Sequence, residues 1–172
     1  MKLGAILDRE EYVEQAYFFR VFRERIAHNM AAQDVLERLH EEILTTTRLP
    51  MAIQFLATEL KHAGLLGSGF ARLPHYFTPF QTFVITQAEQ ENQRFTMPMA
   101  LLVLEKLAGY LAEKPTAAGL FVYQFEAISR NRLGYDEGLS SLEADPFYDS
   151  SWGEYFDMVR RQYPNAVWLL AL

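Results

Sequence analysis

Apolar residues recur at intervals of three and four along most of the chain, the spacing that lines one face of an α-helix. The first stripe is Tyr12, Ala16, Phe19, Phe22, Ile26 and Met30. It follows Asp8 and Glu11, whose spacing predicts a capping box opening a helix that runs to about Met30. Val35, Leu36, Leu39 and Ile43 make a second stripe. Pro50 suits the first turn of a third helix, which Gly64 ends. The stretch GLLGSGF, residues 64–70, reads as helix termination followed by a flexible loop. Thr78 and Gln81, with Pro79 at the first helical position, predict a capping box for the next helix, and Phe80, Phe83 and Val84 share its apolar face.

Thr96 caps a fifth helix that Pro115 ends, and residues 116–133 form a sixth with Gly134 as its stop, although GLFVYQF inside it has strand-like composition. Asp136 opens a short helix. Ser151 and Glu154 predict a capping box for a last one, on which Trp152, Tyr155, Phe156 and Val159 align. The closing NAVWLLAL reads as a docked apolar segment. LGYDEGLSSLEADP looks like one helix of a tetratricopeptide repeat, but it occurs once and that architecture needs stacked copies. The pattern therefore predicts an all-α fold, a compact single-domain assembly of about seven or eight helices over residues 1–172.

Composition narrows the function classes. Half of the residues are hydrophobic and 14% aromatic, enough for a packed core, and the formal net charge is −6. That balance argues against nucleic acid as a partner, which calls for a clustered basic face. With no cysteine in the chain, disulfides, thiol catalysis and cysteine-ligated metals are excluded, and a cytoplasmic location fits. No apolar run approaches the length of a membrane helix, and the one near the N-terminus is too short for a signal-peptide core.

Two E-x-x-H spacings, Glu37 to His40 and Glu59 to His62, are the sharpest enzymatic hint. Residues three apart share a helix face, and di-iron bundles use such pairs to hold metal. At about 100° per residue, however, Glu37 turns mostly to solvent, and the two motifs fall on consecutive helices. The expectation is therefore no catalytic residue, no metal and no cofactor. Arg23 and Glu59 each interrupt an apolar face, which suggests a buried pair between the first and third helices. Arg130, Arg132 and Tyr135, like Arg160 with Arg161, resemble anion-binding corners, yet cations in last helical turns also complement the helix dipole. Asp145 and Asp149 read as turn and capping residues. The chain has neither a G-x-S-x-G nor an H-E-x-x-H motif.

RLPHYFTPFQ, residues 72–81, is dense in functional side chains. The Thr78–Gln81 box explains half of it, leaving Arg72, His75 and Tyr76 as a candidate ligand-binding trio before a helix N-terminus. This stretch, together with RNRLGYDEGLSSLEADPFYD, resembles a family of uncharacterised bacterial proteins. The likeness implies one natural domain and brings no activity, cofactor or partner with it. The expectation is a cytoplasmic, non-catalytic module for protein interaction or self-assembly. The alternative is a small ligand-binding or metal-dependent helical enzyme using Glu59, His62 and an aromatic pocket.

Overall fold

The computed structural model describes residues 6–91 and 94–162. Among these the chain forms nine helices: α1 (Arg9–Ala27), α2 (Ala32–Glu42), α3 (Leu49–Ala63), α4 (Leu66–Ala71), α5 (Pro79–Glu89), α6 (Met97–Ala112), α7 (Ala117–Arg130), α8 (Tyr135–Glu143) and α9 (Ser150–Gln162). The all-α expectation holds. The helix beyond the expected eight is α4, in the glycine-rich stretch that reads as a loop. The segment NAVWLLAL lies outside the described residues.

Local signals set most boundaries. The Thr78 hydroxyl accepts from the Gln81 amide and the Gln81 side chain accepts from the Thr78 amide, so the α5 capping box forms in full. Thr96 and Thr116 cap α6 and α7 through their hydroxyls. Gly64 ends α3 at φ 76°, a left-handed conformation that glycine adopts without a Cβ penalty. GLFVYQF is helical within α7, because its buried Leu120 and Gln124 stand four apart.

Three local expectations fail, two of them because a tertiary partner wins. Asp8 precedes α1 without a side-chain capping bond, since the Glu11 carboxylate is drawn to α3 and the turn beyond α4. Asp149, not Ser151, begins α9, accepting from the Trp152 amide at 3.0 Å. Helix α4 has no local cap either. Instead the carboxylate of Glu89 on α5 accepts from the amides of Leu66 and Gly67 at 2.6 and 2.7 Å, serving as a cap supplied from elsewhere in the chain.

The most extensive packing is α1 along α6, while α2 lies on α3 and the chain then steps from α3 through α4 to α5. Helix α5 is the hinge of the arrangement: it contacts α4, α6 and α8, and α8 in turn carries α7 and α9. The core includes Phe18, Phe19 and Phe22 of α1, Leu101 and Leu104 of α6, and Phe80 and Val84 of α5, all essentially inaccessible. Each such side chain contributes about 1.5–3 kcal/mol on burial. A second aromatic cluster joins α7 to α9, with Phe121, Tyr148, Trp152 and Phe156 at centroid distances of 4.9–5.8 Å. No helix among the described residues is long and apolar enough to cross a membrane.

Candidate functional site

The 72–81 stretch begins at the end of α4, turns through Leu73, whose carbonyl accepts from the amides of Tyr76 and Phe77, and re-enters a helix at Pro79. This sharp turn sends its side chains in opposite directions. Arg72 turns back to α3 and pairs with Glu59 at 2.6 Å. Tyr76 turns inward, is 8% exposed, and donates to Glu11 at 2.9 Å. His75 projects to solvent, and much of the Arg72 side chain is exposed as well. The trio therefore does not converge on one ligand.

The other members of the stretch do converge. Pro74, Phe77 and Pro79, with Phe70 and Ala71 of α4, form one wall of a cleft of about 400 Å³. The opposite side comes from Thr82, Phe83, Thr86 and Gln87 of α5 and from Glu137 in the first turn of α8. Phe70 and Phe77 stack at 4.1 Å, which fixes the apolar wall. Thr82 and Thr86 stand one helical turn apart and line the same side. Gln87 is 3% exposed, and its amide reaches Glu137 at 3.4 Å. The combination of a mostly apolar cavity with a few polar groups along one side is what binding sites present.

Beneath the cleft lies a buried polar tie. Glu11, 7% exposed, accepts from the Arg48 amide at 2.6 Å and from the Tyr76 hydroxyl at 2.9 Å. Arg48 caps the start of α3 and its guanidinium lies 5.6 Å from the centre of the Tyr76 ring. Burial pushes the Tyr76 phenol well above its ordinary value. Gln15, fully buried, accepts from the Gln81 side chain at 2.9 Å and links α1 to α5. Glu11, Gln15, Tyr76 and Gln81 are buried, and their hydrogen bonds hold the helices together.

The other sequence candidates are separated. Arg23 pairs with Glu105 at 2.9 Å, not with Glu59, because α1 lies on α6 and scarcely meets α3. With Glu59 taken by Arg72 and His62 exposed, the second E-x-x-H pair forms no metal centre with a third ligand. Glu37 is exposed and accepts from Gln33, while His40 is half-buried. No group of three or more metal-ligating side chains occurs among the described residues. The basic corners are largely occupied: Arg130 pairs with Glu126, Arg160 with Asp136 and Glu143, and Arg161 with Asp157. Asp145 forms a turn by accepting from the Phe147 amide at 2.9 Å.

A second groove of about 370 Å³ runs between α6 and α7, floored by Met99, Leu102 and Tyr123 and edged by Lys106 and Arg130. Its edge mixes both signs of charge through Glu126, and its floor lacks the stacked aromatic wall of the first.

Among the described residues, fold and geometry together define an all-helical assembly with an aromatic-walled cleft that carries hydroxyl, amide and carboxylate groups along one edge. The chain matches no protein-family model, no curated protein and no solved structure.

Proposed function

We propose that this is a non-catalytic, cytoplasmic protein-interaction module whose binding surface is the cleft between α4, α5 and α8. The observation that carries the reading is the cleft itself: about 400 Å³ of mostly apolar space, open at the surface and built from rigid elements. A cavity open along one side leaves a free small molecule half solvated, whereas an anchor side chain projecting from a larger body is covered by that body. The room suits one or two large apolar side chains. The charged groups support the same reading, because Arg23, Arg72 and Arg160 are tied into pairs between helices and, among the described residues, no acid–base constellation lines the cleft. The absence of cysteine supports a reducing compartment.

A photo-crosslinking residue at Ala71, on the cleft rim, tests this in cells. The expected result is a discrete adduct with another protein, lost when Thr86→Trp fills the cleft and absent when the crosslinker stands at exposed Thr58. Equal labelling from both positions overturns the reading. Adducts solely between two copies of the chain would reassign the cleft to self-assembly.

A further inference from the structure

We propose that the cleft takes a basic, apolar segment of a partner protein, with a large apolar side chain against the aromatic wall and a neighbouring lysine or arginine against the α5–α8 edge. This rests on the binding role proposed above and names the chemistry of the partner. The wall is the stacked pair Phe70 and Phe77, which offers an anchor only apolar contact. The edge is a row of acceptors. The hydroxyls of Thr82 and Thr86 can each accept, the buried amide of Gln87 stands beside them, and Glu137 ends the row with a full negative charge.

Glu137 is the acid of α8 that the fold leaves uncompensated. Its neighbours Asp136 and Glu143 are both held by Arg160, at 3.1 and 3.0 Å. Among the described residues Glu137 receives only the Gln87 amide at 3.4 Å, beyond the ordinary range of such bonds. Among the described residues no cation lines the cleft. An ammonium or guanidinium group on the occupant would meet an acceptor row and an unpaired carboxylate. An acidic occupant would bring a second negative charge beside the first with nothing to offset it. The chain's overall charge of −6 favours approach of the same class of partner.

The experiment uses the full chain and three blocked probes: Ac-Phe-Lys-NH₂, Ac-Phe-Glu-NH₂ and the neutral Ac-Phe-NHMe, titrated by amide chemical-shift perturbation. The lysine probe should bind about two- to five-fold tighter than the glutamate probe, the range an exposed ion pair delivers, with the difference shrinking at high salt. Glu137→Gln should bring the two probes level and leave the neutral probe unchanged. Thr86→Trp should abolish all three. Equal binding of the two charged probes to the parent, or a preference that survives Glu137→Gln, overturns this inference and leaves the interaction reading standing. Binding that Thr86→Trp does not diminish, or no shifts around the cleft with any probe, overturns both.

Discussion

The Tyr76 hydroxyl donates to Glu11 across 65 positions of sequence, and the same carboxylate accepts the Arg48 amide at 2.6 Å. Glu11 thereby serves the starts of two helices: it stands in the first turn of α1 and caps α3 at Arg48. Both helix ends favour a negative charge there, which offsets part of the cost of burying it.

Removing the hydroxyl with Tyr76→Phe leaves one lobe of a buried carboxylate unmet, so the expected loss is about 1–3 kcal/mol. Glu11→Ala should cost more, because it strands the Arg48 amide and the Tyr76 hydroxyl together and opens a void. The double variant should lose less than the sum, since the two residues share one bond. Urea denaturation with unchanged slope checks all three, and strict additivity would mean that the tie does not act as a unit.

Much of the helical frame was legible because its signals are local. A threonine three residues before a glutamine, a proline at the first helical position and a glycine after the last apolar residue act within one turn of chain. The failures are the features made by distant partners. Helix α4 exists because Glu89 caps it from α5 and because Gly69 allows close approach to α3; neither is visible in GLLGSGF. The candidate site was half legible. The 72–81 stretch does line a cleft, but through Pro74, Phe77 and Pro79, while Arg72 and Tyr76 are spent on Glu59 and Glu11. Glu137 had no local signal, as it reaches the cleft only by the packing of α8 on α5.

Glu89 gives a pH signature with a definite sign. Burial raises its carboxyl above the ordinary value of 4.5, against the opposing pull of the Gly67 and Leu66 amides. The folded chain therefore holds that proton more tightly than the unfolded chain does. The resulting stabilisation is fully present below pH 4.5 and is lost as pH rises through the raised value. Glu89→Gln should remove this component, so the difference in stability between parent and variant should change over that interval and be flat above it. Thermal melts of both chains across acidic to neutral pH provide the check.

The tyrosines predict the alkaline limit. Among the described residues burial raises Tyr12, Tyr76, Tyr123, Tyr135 and Tyr148. Their stabilising contribution is present below the ordinary value of 10.0 and is lost as pH rises above it. A spectrophotometric titration should therefore show these five withheld from ionisation until the fold opens, then released together with the loss of helical circular dichroism. Smooth titration of these five around the ordinary value of 10.0 in a still-folded chain would contradict the burial described for them.

Gly138 tests how closely the cleft depends on the packing behind it. A Cβ there would lie 2.8 Å from Cδ1 of Ile128 and 3.4 Å from Phe83, a cleft residue. Ile128 is fully buried and has little space to yield, so Gly138→Ala should cost about 1–3 kcal/mol by overpacking. The strain passes to Phe83 and thus to the cleft, so apolar probe affinity should fall as well. Gly153 in α9 is the contrast: nothing lies within 4 Å of its added Cβ, and Gly153→Ala should stabilise the chain by about 0.5–1 kcal/mol through helix propensity. Its probe binding should be unchanged. If Gly138→Ala instead stabilises the protein as Gly153→Ala does, α8 does not sit against α7 and α5 as closely as described, and Glu137 loses its place at the cleft edge.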